Sequence, residues 1–195
     1  TRECQLRNVH TVDLLGPTVS LLDDHLDGAP KNQPGLSYEL NKEQFERIDA
    51  VDFTLAHDDG SRVKDLHKAD VVLVGVSRVA KSVTCFYLAY RGIRAANIPL
   101  VPNVKPPDAL LKIDPRKVIG LIMNPHRLQH IREARRGAIR AANLTEYSAL
   151  RHIAKELRAA QALMNRYGWR TIDVSYMAVE EVANEVVALV AQQAA

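Results

Sequence analysis

Short hydrophobic runs alternate with longer amphipathic stretches in the part of the chain that follows residue 69. The run at residues 71–74 is continuous and rich in β-branched side chains, which is typical of a strand buried on both faces of a parallel sheet. Similar runs predict strands at residues 97–101, 118–123 and 171–174, and Pro99 places the first of these at a sheet edge. Strands that alternate with helices predict an α/β fold, a parallel-rich layered sheet with helices on both faces.

Helical periodicity fills the intervals between these strands, and a further short strand is predicted at residues 9–12. One helix begins after Asn41, which forms a capping-box pattern with Gln44, and ends before His57. Its hydrophobic side chains recur at near-helical spacing and should face the core: Phe45, Ile48, Val51 and Leu55. The other predicted helices lie near residues 18–26, 81–90, 125–140, 147–167 and 179–193.

Composition is that of an ordinary globular protein with room for a hydrophobic core. Of the 195 residues, 47% are hydrophobic and 25% are charged. Glycine and proline are concentrated at residues 27–37, which therefore read as a linker or long surface loop. We accordingly divide the chain into a segment of residues 1–40 and a domain of residues 41–195.

Charge and cysteine content limit the binding partners and the cellular compartment that can be expected for this protein. The formal net charge of +3 suits an anionic ligand but is too small to predict nucleic-acid binding. Cys4 and Cys85 form neither a zinc-binding spacing nor a disulfide framework, which favours a reducing, cytoplasmic compartment. No hydrophobic run reaches the roughly 18 residues of a membrane span. We predict a cytoplasmic protein with neither nucleic acid nor membrane as a partner.

The most informative motif joins the strand at residues 71–74 to the helix at residues 81–90. A glycine at the strand end lets the backbone turn sharply, and the positive end of the helix dipole points at the same spot. Lys81 can reach a terminal phosphate, and the Ser82 hydroxyl can bind Mg²⁺. Ala80 replaces the second glycine of a P-loop, so an ordinary turn with a solvated Lys81 is the alternative. The predicted phosphate-binding residues are Gly75, Val76, Ser77, Arg78, Val79, Ala80, Lys81 and Ser82.

Three aspartates are candidates for the remaining chemistry. Asp58 and Asp59 precede Gly60, and one of them can orient an acceptor hydroxyl or take its proton, unless both are solvated turn residues. Together with Lys81 and Arg78 they are the predicted catalytic residues. Asp173 ends the last predicted strand, where it can support Mg²⁺ or cap the next turn.

Two arginines are candidates for additional phosphate contacts. Arg127 and Arg132 lie on the strongly basic helix that follows Pro125. Arginine binds phosphate through two parallel hydrogen bonds, so either side chain can hold a phosphate group. The alternative is a solvated charged face, which is the commoner role of such a helix.

The stretch of residues 69–102 carries a family resemblance. It reads ADVVLVGVSRVAKSVTCFYLAYRGIRAANIPLVP and resembles the signature segment of the pyruvate, phosphate dikinase regulatory proteins, whose close relatives regulate phosphoenolpyruvate synthase. The form Tyr90-Arg91-Gly92 is more similar to the dikinase branch. Further matching segments follow in the family's order and cover nearly the whole chain: residues 13–17, 57–60, 120–132, 169–175 and 179–181.

The resemblance implies a bifunctional serine/threonine kinase and phosphorylase. ADP would donate its β-phosphoryl group to a threonine of the dikinase and inactivate it, and inorganic phosphate would remove the group as pyrophosphate. The implied cofactors are ADP, inorganic phosphate and Mg²⁺. The implied partner is pyruvate, phosphate dikinase or phosphoenolpyruvate synthase, with a homodimer as a candidate assembly. Residues 1–40 would be the remnant of an N-terminal α/β region plus linker, and residues 41–195 a P-loop-like catalytic domain.

Two other functions stay open at the level of sequence. The family loop reads Gly-x-Ser-Arg-Thr-(Ser or Gly)-Lys-Thr-Pro, and this chain differs from it at Val79, Ala80, Ser82 and Val83. These differences, with Ile122 in place of a family threonine, allow a degenerate regulator that binds ADP or the dikinase without transferring phosphate. The second alternative is a P-loop kinase or hydrolase that acts on a small molecule.

Overall fold

The computed structural model describes residue 4 and residues 6–26, 41–138 and 149–191. The chain forms two compact units, Thr1–Asn41 and Lys42–Ala195. In the first unit, helix α1 spans Gly16–Asp23, and Pro17 occupies its first turn, where a missing N–H is harmless. The strand predicted at residues 9–12 is wrong, because these residues join no ladder in the described part of the chain. The predicted linker at residues 27–37 lies outside the described residues.

The second unit is built on a four-stranded, all-parallel sheet in the order β2-β1-β3-β4. Its strands are β1 (Val71–Gly75), β2 (Ala95–Pro99), β3 (Val118–Ile122) and β4 (Arg170–Asp173). Its helices in the described ranges are α2 (Lys42–Ala56), α3 (Lys81–Tyr90), α4 (Asp108–Leu111), α5 (Pro125–Ala138), α6 (Leu150–Arg166) and α7 (Val179–Ala191). The predicted α/β fold class is confirmed, and β2 is an edge strand as Pro99 indicated. None of these helices is both long and apolar enough to cross a membrane.

The strand connections distribute the helices over both faces of the sheet. The crossover from β1 to β2 through α3 moves toward one edge, whereas the crossover from β3 to β4 through α5 and α6 moves toward the other. Because parallel crossovers are nearly always right-handed, opposite directions place α3 and the α5–α6 pair on opposite faces. Helices α2 and α7 pack against α3. The direction reverses between β1 and β3, and open α/β sheets bind their ligands at the carboxyl ends of such strands.

Helix α2 faces the core with a different side from the predicted one. Thr54 is buried, and its hydroxyl donates a hydrogen bond to the backbone carbonyl of Ala95 in β2 at 2.8 Å. Ala50, one turn earlier, is also fully buried. Small side chains let the helix approach the edge strand closely, so periodicity located the helix but not its inner face. The exposed members of the predicted stripe are Phe45, Ile48 and Leu55.

The carboxyl end of β1 lies unusually close to its neighbour β3. Gly75 has a φ of +152°, and a Cβ atom built on it would lie 2.6 Å from the carbonyl oxygen of Leu121. Only glycine fits so near another backbone. The strand ends at this residue, and the chain leaves the sheet there. The β1–α3 loop, residues 76–80, therefore starts from a fixed point between β2 and β3.

Gly75→Ala should lower the free energy of unfolding by roughly 3 kcal/mol or more, because its Cβ would collide with backbone atoms of a central strand. Gly92→Ala is the matched control, since Gly92 also has a positive φ, of +81°, but open space around it. That variant should cost only the left-handed strain of about 1–2 kcal/mol. Urea unfolding measures both changes, and equal losses would show that contact with β3 does not require the glycine.

Candidate functional site

A cavity of about 390 Å³ opens at the carboxyl ends of the central strands. Its walls come from the β1–α3 loop, the first turn of α3, the turn at Asp58–Gly60, the end of β2 and one face of α5. The structure thus collects, around one space, residues that are far apart in the chain. Six of the predicted site residues line it: Asp59, Ser77, Arg78, Ala80, Lys81 and Ser82.

The β1–α3 loop has the backbone of an anion-binding turn. Arg78 and Ala80 have φ values of +74° and +64°, whereas Val79 between them has a negative φ. Alternation of hand along a short loop is the geometry of anion-binding nests. Left-handed backbone at residues other than glycine is strained, and such strain clusters at ligand-binding sites.

Two loop residues contribute only their backbones to this shape. The side chains of Val76 and Val79 are 1% and 0% exposed and belong to the hydrophobic core. Val79, which replaces a family threonine, therefore anchors the loop to the hydrophobic core. The polar groups that face the cavity come from neighbouring residues.

Lys81 is the buried cation of the site. It begins α3, its side chain is only 6% exposed, and its Nζ donates a hydrogen bond to the carbonyl oxygen of Val76 at 2.9 Å. Burial lowers the pKa of Lys81 to about 8, although the nearby carboxylates of Asp59 and Asp58 favour the charged form. A phosphate group in the cavity would add a strong counter-charge at this helix N-terminus.

Asp58 and Asp59 are linked to α3 by a residue that sequence reasoning missed. Asn97, in β2, is 1% exposed, and its Nδ2 donates to Asp58 Oδ1 at 2.6 Å. The same nitrogen lies 3.0 Å from Ser82 Oγ and 3.3 Å from Asp59 Oδ1. The available signal was a polar side chain in a predicted buried strand, because such groups almost always have partners. The structure thus brings both aspartates and Ser82 together.

Asp173 lies apart from this group. It ends β4, which β3 separates from β1, and its Oδ1 accepts hydrogen bonds from the backbone N–H and the hydroxyl of Ser175. The Ser175 hydroxyl oxygen in turn accepts from the backbone N–H of Asn124 at 2.8 Å. These contacts match the alternative role considered above, a carboxylate that orders the next turn. Its support of Mg²⁺ stays a prediction.

Arg132 supports the β1–α3 loop from the opposite layer of the fold. It is fully buried, and its Nη2 donates to the carbonyl oxygen of Ser77 at 3.1 Å and to Glu156 Oε2 at 2.7 Å. Arg127 is exposed in the first turns of α5. Neither side chain lines the cavity, so their contact with phosphate also stays a prediction.

The oxygen ligands at the cavity wall suit a Mg²⁺ ion that is bound jointly by the protein and by substrate phosphates, rather than by protein side chains alone. The described residues contain no group of three or more His, Cys, Asp or Glu side chains arranged to hold a metal ion. Asp59 and Ser82 both border the cavity. One or two protein oxygens together with substrate phosphates are a common environment for Mg²⁺.

Comparison with known proteins adds the family context. A family model described as kinase/pyrophosphorylase matches residues 1–187. A pyruvate, phosphate dikinase regulatory protein of Hyphomonas neptunium is 43% identical over 182 residues, which are 92% of this chain and 65% of that protein. The protein of the same name from Geobacter metallireducens is 42% identical over 186 residues, 95% of this chain and 69% of the relative. The chain thus spans about two thirds of the length of these relatives.

Lys81→Met should remove a pH dependence of stability. The pKa of Lys81 is about 8 in the folded protein against an ordinary value of 10.5, so the unfolded chain binds more protons between these values. The destabilisation is complete below pH 8 and disappears as the pH approaches 10.5. Stability of the parent protein should therefore rise with pH relative to the variant, by roughly 3 kcal/mol in total.

Urea unfolding at several pH values across this window measures the difference between the two proteins. Lys64→Met, which removes an exposed lysine, is the control and should run parallel to the parent protein. Parallel curves for Lys81→Met as well would show that Lys81 is not buried as a charge.

Proposed function

We propose that this chain, which belongs to the kinase/pyrophosphorylase family, regulates a pyruvate, phosphate dikinase by phosphorylating and dephosphorylating one of its threonines. The observation that carries the proposal is the buried Lys81 at the wall of one cavity together with the carboxylate of Asp59, with Asp58 beside it on the same turn. Phosphoryl transfer needs a cation for the transferred group and a carboxylate for the acceptor hydroxyl. The names of the relatives support the dikinase as the target.

In the kinase direction, the β1–α3 loop and Lys81 hold the β-phosphate of ADP. The threonine oxygen attacks the β-phosphorus, the bond from that phosphorus to the oxygen shared with the α-phosphate breaks, and AMP leaves. Lys81 and the N-terminus of α3 stabilise the negative charge on the transferred group. Arg78, exposed at the cavity wall, is placed to contact the same phosphates.

Asp59 is the better placed of the two aspartates to meet the acceptor. It lines the cavity, whereas Asp58 accepts the shorter hydrogen bond from Asn97. Asp59 also has a left-handed φ of +49°, a strained conformation of the kind found at functional sites. We therefore assign the threonine proton to Asp59 and a supporting role to Asp58.

The phosphorylase direction uses the same position for the transferred group. Inorganic phosphate attacks the phosphorus of phosphothreonine, the bond to the threonine oxygen breaks, and pyrophosphate forms. The attacking phosphate gives up a proton, and Asp59 delivers a proton to the leaving threonine oxygen, the counterpart of its role in the kinase direction. One phosphoryl position is thus flanked by the threonine on one side and by AMP or phosphate on the other.

Mg²⁺, when bound, would neutralise part of the phosphate charge in both directions. Ser82 is the residue of this chain that would hold it, because its hydroxyl lies at the cavity wall. The loop differences from the family leave this group in place, since Ser82 keeps a hydroxyl and Val79 is buried in the core. These contacts favour a catalytic protein over a regulator that only binds.

Incubation of the chain with a dikinase and ADP labelled in its β-phosphate should produce labelled phosphothreonine on the dikinase. Lys81→Met should abolish both reaction directions and keep the fold, because it removes the charge that stabilises the transferred group. Lys64→Met, at an exposed lysine, should keep full activity. Transfer to a small molecule without the dikinase would favour the small-molecule kinase. ADP binding without transfer would favour the non-catalytic regulator.

ADP should inhibit phosphorolysis competitively against inorganic phosphate. Free phosphate must occupy the place that the AMP portion of ADP takes in the kinase direction, so the two ligands exclude each other. Initial rates of pyrophosphate release over a matrix of ADP and phosphate concentrations give the pattern directly. Non-competitive inhibition would mean two separate sites and would overturn the shared-position mechanism.

A further inference from the structure

We propose that Asn97 is a positioning residue that holds Asp58 and Asp59 against the first turn of α3, and so sets the distance between the acceptor carboxylates and the transferred phosphoryl group. This inference rests on the proposed function. It assigns Asn97 no contact with substrate, because its side chain is 1% exposed and does not line the cavity.

The backbone of Asn97 is held on both sides. In the parallel ladder of β2 with β1, Asn97 is aligned with Leu73. On the free edge of β2, its N–H donates to the carbonyl oxygen of His57 at 3.1 Å, directly before Asp58. The side chain therefore projects from a rigid strand toward a turn whose start is already attached to that strand.

The side chain of Asn97 supplies what two adjacent carboxylates need. Its Nδ2 lies within 3.3 Å of Asp58 Oδ1, Asp59 Oδ1 and Ser82 Oγ. An amide nitrogen is a donor only, and hydrogen bonds to ionised carboxylates are strong. Because Asn97 itself is buried, a solvent molecule cannot easily take the place of its amide.

The orientation of the Asn97 amide follows from the same charges. Rotating the amide by half a turn would place its oxygen against the carboxylate of Asp58, which is repulsive. In the observed orientation, Oδ1 is buried and has no hydrogen-bond partner among the described residues. A buried acceptor without a partner is destabilising. The hydrogen bonds from Nδ2 to the aspartates offset this cost.

The turn at Asp58–Gly60 depends on this contact more than a regular element would. Asp59 and Gly60 both have positive φ, and the 3₁₀ turn ends with a single backbone hydrogen bond from Ser61 to Asp58. Loss of the Asn97 amide should therefore let the carboxylates move relative to Ser82. The contact of Lys81 with Val76 does not involve Asn97, so nucleotide binding should be retained.

Two substitutions separate donation from packing. Asn97→Asp keeps the volume but places a third carboxylate against Asp58 and Asp59, whereas Asn97→Ser loses volume but keeps one hydroxyl donor. For a positioning role, Asn97→Asp should lower kcat about 100-fold or more in both directions, and Asn97→Ser about tenfold. The Kd for ADP should change less than about threefold, since a misplaced carboxylate affects the transition state more than ground-state binding.

Thr54→Val is the matched structural control. Thr54 also joins the α2 side of the fold to β2 by a buried hydrogen bond, but it contacts neither aspartate nor Ser82. It should lower stability and leave kcat unchanged. A double variant of Asn97→Ser with Asp58→Asn should be little slower than Asp58→Asn alone, because the two residues act through one arrangement.

The opposite order of effects would overturn the proposal. If Asn97 only fills space, the Asn97→Ser variant should have a lower kcat than the Asn97→Asp variant. If any buried polar contact to β2 has the same effect, Thr54→Val should lower kcat as much as either. Additive effects in the double variant would also contradict it.

Hydrogen exchange of the amides in residues 59–62 provides a readout that needs no activity. These amides should exchange faster in Asn97→Ser than in Thr54→Val. If the parent protein transfers no phosphate but this difference is present, the proposed function fails and the positioning role stands. If the parent protein is active and the Asn97 variants keep its kcat, the positioning role fails.

Discussion

The site depends on one constraint: β1 pairs in parallel with both β2 and β3 and ends at Gly75. All residues of β1 are buried, so the chain becomes accessible to a ligand only after the strand ends. The close approach of Gly75 to the Leu121 carbonyl fixes the position of that end. The loop that follows, the start of α3 and the ends of both neighbouring strands then have to surround one space. Because the strand order reverses there, helices leave toward both faces and the space stays open.

Electrostatics inside this space favour an anionic ligand. Lys81 is held away from water in a position where its charge is penalised, as its lowered pKa shows. The buried Arg132 donates hydrogen bonds to Glu156 and to the loop carbonyl of Ser77, so it stiffens the loop. Burial also raises the pKa of the Cys85 thiol, which keeps this cysteine protonated and unreactive. The cation that is available at the cavity wall is therefore Lys81, with Arg78 at the rim.

The carboxylates oppose this cation from a different part of the chain. Asp58 and Asp59 sit in an irregular turn, and Asn97 in the edge strand ties them to Ser82 at the start of α3. The β1–α3 loop and the two aspartates thus belong to separate segments joined by one buried amide. The two-directional transfer that we propose would require such a fixed separation.

Local patterns in the sequence located the loop and the strands and longer helices of the second unit, but missed the short helix α4 and wrongly added a strand at residues 9–12. Alternation and β-branching located β1 to β4, Pro99 identified the edge strand, and Gly75 with Lys81 marked the strand–loop–helix, because each of these signals acts within a few residues. Contacts between distant residues were decided by the tertiary structure alone: the buried side of α2, the shielding of Arg132, the separation of Asp173 from Ser82, and the hydrogen bonds of Asn97. These depend on which elements meet and how closely, and a pattern along one element carries no information about the partner against which it packs.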